Sequence, residues 1–138
     1  MSFSCGCENV PFPGQDQNWT DIFRSTQERS PKFFECLVEM ADTHNKKNNN
    51  YAGECSDPFA NFRMCENFSC PSCGNKIPAW LGVAIRMSDK WSRITNLMGG
   101  IQDLVGESLL DTYKDLGVYS QIFKVLYEQW EEEQKQNK

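Results

Sequence analysis

Three acidic residues, Glu107, Asp111 and Asp115, each follow the one before by four positions. On a helix of 3.6 residues per turn they would stack along one face. Like charges at that spacing repel, and a bound divalent cation would relieve the repulsion. Mg²⁺ takes carboxylate oxygens together with phosphate oxygens, so the chemistry implied is the handling of a phosphate ligand. Glu35, Glu39 and Asp42, spaced four and then three, form a second row. Two facing helices that each offer carboxylates can hold metal ions in a bundle core. The same spacing also occurs on solvated faces of surface helices, and that reading stands beside the first. The row on the last helix is the stronger candidate, because aspartate is a poor helix former.

Arg86, Lys90 and Arg93 make a basic row at i, i+4 and i+7, expected roughly opposite the apolar stripe of their helix. Such a row serves either as ion-pair partners for the acids or as a cradle for a phosphoryl group. His44 is the only histidine and lies beside the acidic row. It reads as a structural residue, since no second histidine completes a metal site.

The cysteines pose a separate question. There are seven, an odd number that rules out complete pairing within the chain. Cys70-Pro-Ser-Cys73-Gly has the form of a zinc knuckle, in which two thiolates two residues apart grip one ion. Cys5 and Cys7 are the best partner pair for a structural Cys₄ site for Zn²⁺, with Cys55 and Cys65 as rivals. Cys36 reads as a buried hydrophobe. The alternative is a set of free thiols in a loop.

These residues need elements to position them, and the expected fold class is all-α. Asn18–Glu28 suggests a short helix. Ser30-Pro31 opens a second, with apolar Phe34, Leu37, Val38 and Ala41, ending near the run Asn45–Asn50. Asp57 should cap a short helix from Pro58 to about Glu66. A third main helix covers roughly Pro78–Met98, its stripe Val83, Met87, Trp91, Ile94 and Met98, stopped by Gly99-Gly100. The last runs from about Gln102 to Glu133, with Leu109, Leu116, Phe123 and Trp130 on one face. No segment alternates like a half-buried strand, so any strand is confined to the cysteine region. The organisation expected is a single domain over 1–138. Residues 1–29 form an arm and short helix, and 30–138 a helical bundle with a cysteine-rich insertion at about 65–76.

At 138 residues with 39% apolar and 12% aromatic content, the chain can build one core. A net charge of −5 argues against general nucleic-acid binding. The longest uncharged apolar stretch, Ile77–Ile85, is too short to span a bilayer. The opening residues have neither the basic nor the apolar region of a secretory signal. A cytoplasmic protein that does not engage membranes is expected.

Three fragments carry more than spacing: HNKKNNNYAGECSDPFANFR (44–63), GVAIRMSDKWSRITNL (82–97) and GESLLDTYKDLGVYSQI (106–122). They resemble a phage and bacterial family described as nucleotide modification associated, which is similar in turn to the all-α MazG-like nucleoside triphosphate pyrophosphohydrolases. The resemblance spans about residues 35–125. It rests on Lys47, Tyr51, Asp57–Phe62, Arg86–Arg93, Glu107–Leu116 and Tyr119. It implies a MazG-like helical bundle, in host cytoplasm if phage-encoded, acting on a nucleotide or nucleoside triphosphate, modified ones included. The implied reaction is Mg²⁺-dependent cleavage between the α and β phosphates.

In that reading Glu39, Glu107, Asp111 and Asp115 hold Mg²⁺, and Lys90 and Arg93 stabilise the leaving pyrophosphate. Lys47, Tyr51, Asp57, Asn61 and Arg86 line the nucleotide pocket. The sequence departs from the family pattern in two places. The acids stand four apart rather than three, and Tyr-Gly becomes Tyr51-Ala52-Gly53. The alternative is a non-catalytic nucleotide- or protein-binding helical module stabilised by zinc. Tyr127 and Trp130 on the last helix suit a contact in a homo-oligomer.

Overall fold

Helix starts and stops follow local signals in most places. The computed structural model describes residues 18–52 and 57–138, the side chains of 51 and 52 excepted. Cys5, Cys7, Cys55 and the Tyr51 side chain lie outside the described residues. The first helix, α1 (Trp19–Arg29), is capped by Asn18, whose side chain accepts the Asp21 N–H. Helix α2 (Pro31–Ala52) starts with proline at its first position, as expected.

It does not stop in the asparagine run, as the turn propensity there suggested. Asparagine is an indifferent helix former rather than a breaker, and the contacts of Lys47 with α5 reward continuing the helix. Asp57 accepts the Phe59 N–H at 2.9 Å and sets up the short α3 (Ala60–Arg63), which tightens into a 3₁₀ turn over Met64–Asn67.

Helix α4 (Ala79–Met98) closes with a Schellman arrangement. The Ile101 N–H returns to the Asn96 carbonyl and the Gly100 N–H to the Leu97 carbonyl, with Gly100 at φ +89. Helix α5 (Leu109–Gln136) begins seven residues later than expected. Ser108 and Asp111 form a reciprocal cap: the Ser108 hydroxyl accepts the Asp111 N–H at 3.0 Å and donates to its carboxylate at 2.7 Å. Glu107 therefore lies before the helix, and the three-acid stripe does not form. Among the described residues the only β pairing is an isolated bridge, Ser69 to Lys76, inside the cysteine segment. No described helix is long and apolar enough to cross a membrane.

The core lies where α4 meets α5, joined by Phe62 and flanked by α2. Val83 is fully buried in a cluster with Phe62, Ala79, Val118, Ile122 and Leu126, and Ile94, further along α4, is fully buried apart from that cluster. The buried face of α5 sits nearly a third of a turn from Leu109, Leu116, Phe123 and Trp130, because α2 and α4 together cover Val118, Ile122 and Leu126. Those four expected residues are half-buried at its edge. Tyr127 and Trp130 pack on Trp80 of the same chain, with ring centroids 5.3 and 5.7 Å away. Both are thus engaged within the chain and remain half-buried.

On α4 the expected stripe splits. Trp91 and Met98 are 54% and 68% exposed, because α5 covers only the Val83–Ile94 side. With Met87, Tyr113 and Leu116, Trp91 lines a shallow groove instead. Cys36, expected in the core, is exposed. Gly117 lets α2 approach α5: a Cβ there would stand 2.6 Å from the Met40 sulfur.

Truncating a residue at the centre of this interface leaves a cavity that the helices cannot fully close. Leu126→Ala should lower the unfolding free energy by about 2–5 kcal/mol, read by denaturant titration of the helical signal. Trp91→Ala, on the exposed side, should cost much less. Equal losses would show that the core is misplaced.

Candidate functional site

Asp115 projects from α5 into the junction with α2 and α4. Its side chain is only 13% exposed, and each carboxylate oxygen meets a lysine. Lys47 Nζ of α2 lies 2.8 Å from Oδ1, and Lys90 Nζ of α4 lies 2.9 Å from Oδ2. Lys90 also reaches Glu107 Oε1 at 3.1 Å. Arg93, one turn further along α4, continues the network. Its Nε donates to the Thr112 hydroxyl at 3.1 Å, and Nη2 donates to the Glu107 carbonyl and lies 3.2 Å from Asp103 Oδ1. Thr112 is completely buried.

The basic row therefore runs along the edge of the α4 core face, not opposite it. One row of side chains both flanks the core and pins the loop that precedes α5.

The electrostatics follow from this enclosure. Burial pushes the Asp115 carboxyl up, but hydrogen bonds from Lys47 and Lys90 outweigh it and hold the group below the usual carboxylate range. Burial works against the Lys90 ammonium, and the bonds to Asp115 and Glu107 overcome it, raising Lys90. Asp103 is lowered chiefly by the Val105 N–H, with Arg93 contributing. Asp111 is lowered by the Ser108 hydroxyl and by Lys114, so its shift belongs to the helix cap.

Beside Asp115 opens a cavity of about 240 Å³ walled by His44, Lys47, Asn48, Asn61, Phe62, Arg86 and Tyr119, among others. Arg86 lies over the Phe62 ring at 4.9 Å, and no acidic partner within 4.0 Å is found for it among the described residues. Asn48 presents a buried Oδ1 with no hydrogen-bond partner. A second, apolar cavity of about 250 Å³ adjoins the first, lined by Leu37, Met40, Phe59 and Val125. His44, Val118 and Ile122 belong to both walls. The His44 ring stacks on Phe59 at 6.1 Å.

Of the residues singled out in the sequence, the structure brings Lys47, Lys90, Arg93, Glu107 and Asp115 into one network, and places Asn61 and Arg86 beside it. Others go elsewhere. Glu39 lies with Glu35 and Asp42 on the exposed face of α2, where Glu35 pairs with Lys32 and Asp42 with Lys46. The opposite side of α2, carrying Met40, His44 and Asn48, is the one that meets α5. Asp57 pairs with Arg63, and Asp111 with Lys114.

This donor set does not fit a Mg²⁺ cage. Mg²⁺ requires near-octahedral oxygen ligands at about 2.0–2.1 Å, while both Asp115 oxygens face ammonium groups. Among the described residues no three His, Cys, Asp or Glu side chains converge.

Sequence reasoning missed Asn48, Asp103 and Thr112. Thr112 was within sight as part of the Glu-Ser-x-x-Asp-Thr fragment, whereas Asn48 is hidden in a run of asparagines.

The cysteine segment forms a hairpin over 68–77, in which the Cys70 N–H donates to the Asn75 carbonyl and the Gly74 N–H to the Cys70 carbonyl, both at 2.8 Å. The Cys73 N–H and thiol bond the Cys70 sulfur and hold its thiol below the ordinary value. Cys65 is different. Burial pushes its thiol up, and it donates to the Phe62 carbonyl at 3.2 Å.

The opposite shifts of Asp115 and Lys90 give a stability profile with two limbs. The Asp115 contribution is fully present above the unfolded carboxyl value of about 3.9 and is lost as pH falls through the lower folded value. The Lys90 contribution is fully present below about 10.4 and is lost as pH rises through the higher folded value. Denaturant titrations across pH should show both limbs, and Asp115→Asn should flatten the acid limb while lowering the plateau. An unaltered acid limb in the variant would show that these pairs do not support the fold. Set against known proteins, the chain matches no family model, no curated protein and no solved structure.

Proposed function

We propose that this chain is a nucleotide-binding helical module that holds its ligand's phosphate without hydrolysing it. The observation that carries this is the Arg86 guanidinium. It stands on the wall of a cavity, backed by the Phe62 ring and without a described acidic partner. Lys47, Asn61 and Asn48 stand around the same space, supplying further donors and an amide that lacks a partner. Guanidinium and ammonium groups bind phosphate oxygens through charge-assisted hydrogen bonds. The adjoining apolar cavity, with His44 stacked on Phe59, offers a flat lipophilic surface of the kind a base occupies.

The resemblance of residues 35–125 to the nucleotide modification associated family, similar in turn to MazG-like proteins, favours a nucleoside triphosphate as the ligand and a MazG-like arrangement of the bundle. It also names hydrolysis as the competing activity. Against hydrolysis stands the engagement of Asp115 by two lysines and of Glu107 by Lys90 and Arg93. A metal would have to displace those cations before either carboxylate became a ligand.

Calorimetric binding to a panel of canonical and modified nucleoside triphosphates, with pyrophosphate release followed in parallel, tests the reading. At least one nucleotide should bind without release of pyrophosphate. Arg86→Ala should weaken that binding about tenfold or more, the loss expected for hydrogen bonds to a charged group, and Arg86→Lys by less. Absence of binding across the panel would end the proposal. Mg²⁺-dependent release that disappears in Asp115→Asn would replace it with the pyrophosphohydrolase.

A further inference from the structure

The cavity beside Asp115 holds less unanswered positive charge than its basic surroundings suggest. Among the described residues that line it, the acidic and basic side chains are Lys47, Arg86 and Asp115. Lys47 Nζ lies 2.8 Å from one Asp115 oxygen, and Lys90 lies 2.9 Å from the other while also reaching Glu107. Two carboxylates thus balance two lysines. Arg93, the last member of the basic row on α4, is taken up by Asp103. Arg86 is left over, a guanidinium 4.9 Å from the Phe62 ring centroid with no described acidic partner. His44 is stacked on Phe59 at the apolar side. Residues 1–17 and 51–56 contain no lysine or arginine that could add to the balance.

A phosphate monoester carries a charge of about −1.5 to −2 at neutral pH. One guanidinium, with its planar fork of donors, suits a single such group and can bond two of its oxygens at once. Each further phosphoryl group would add negative charge without a cation to meet it. It would also share the cavity with the Asp115 carboxylate, in partly buried surroundings where like charges repel more strongly than in water. Sites that take polyphosphates commonly spread this charge over Mg²⁺ held by carboxylates. Here the Asp115 oxygens face ammonium groups, and among the described residues no three His, Cys, Asp or Glu side chains converge. A net charge of −5 on the whole chain adds to the bias against polyanions.

Resting on the nucleotide-binding reading, we infer that the ligand is a nucleoside monophosphate, selected by charge against the triphosphate that the resemblance favours. Arg86 takes the phosphate dianion. Asn61 and Tyr119, on the same wall, offer neutral hydrogen-bonding groups for the sugar. The dimensions agree with a short ligand. The polar cavity, at about 240 Å³, is smaller than the roughly 300–1,000 Å³ of a pocket that encloses a whole ligand. It suffices for sugar and phosphate when the base occupies the apolar neighbour. Asp115 then has two consequences: it joins three helices, and it sets how much phosphate the site accepts.

Calorimetry on the full chain tests this with the nucleoside, mono-, di- and triphosphate of adenine, guanine, cytosine and thymine, each without divalent metal and with Mg²⁺. For the base that binds, the monophosphate should bind about tenfold or more tighter than its nucleoside, the worth of hydrogen bonds to a charged group. It should also exceed the triphosphate by about tenfold or more in both conditions. Arg86→Ala should remove most of the advantage of monophosphate over nucleoside. Asp115→Asn should narrow the gap between mono- and triphosphate, a change of ratio that general loosening of the fold would not produce.

A triphosphate that binds as tightly as its monophosphate, with or without Mg²⁺, overturns the monophosphate assignment and leaves nucleotide binding standing. A nucleoside that binds as tightly as its monophosphate, or no binding anywhere in the series, overturns both. So does an Arg86→Ala protein that keeps the full advantage of the monophosphate. The ratios measured on the wild-type chain keep the test decisive even if a variant fails to fold.

Discussion

One partly buried carboxylate organises the middle of this molecule. Asp115 stands at the junction of α2, α4 and α5 with a lysine on each oxygen. Removing one member of such a set leaves a charge in a poorly solvated place, which costs far more than the pair returns at an exposed site. The network therefore restricts how the helices can be arranged. Lys90 ties α4 to α5 and to Glu107, Arg93 ties α4 to the connection through Asp103 and the Glu107 carbonyl, and Lys47 draws α2 onto the same residue. Thr112, buried with its hydroxyl on Arg93, is the polar group that joins this network to the start of α5.

The cavity follows from the same constraint. Because Lys47 and Asn48 sit on the inner side of α2, while Asn61 and Arg86 come from α3 and α4, the space between them is polar on one wall and apolar beyond His44. Arg86 lies four residues before Lys90 on α4 but has a different fate. Lys90 is used by the fold, whereas Arg86 rests on an aromatic face with its donors available. That division of labour within one basic row separates a structural ion pair from a candidate ligand contact.

The hairpin and the bundle are held together by different means. The bundle closes on Val83, Ile94, Val118, Ile122 and Leu126, a core drawn from two long helices. The hairpin has too few residues to bury a comparable surface and rests instead on its backbone hydrogen bonds, among them Cys70 N–H to the Asn75 carbonyl and Ile77 N–H to the Phe68 carbonyl.

The amino-acid sequence by itself determined the helical character, the positions of most helix ends and the confinement of any β pairing, among the described residues, to the cysteine segment. Those features depend on neighbours a few residues apart: Asn18 and Asp21, Ser30 and Pro31, Asp57 and Phe59, Gly99 and Gly100. Lys47, Asn61, Arg86, Lys90, Arg93, Glu107 and Asp115 were also legible as a set, through the resemblance and the basic row.

Only the tertiary structure decided which of them meet. Spacing put Asp111 with Asp115 and Glu39 opposite them, but Ser108 captures Asp111 as a cap, and α2 turns Glu39 to solvent. Likewise Val118, Ile122 and Leu126, not the Leu109–Trp130 row, form the buried face of α5. Helical periodicity records that one side of α5 is apolar, while the way two neighbours straddle it sets where that side is covered. Helix propensity acts within a turn or two, whereas the choice between a capping contact, an ion pair and a solvated face is made across elements far apart in the chain.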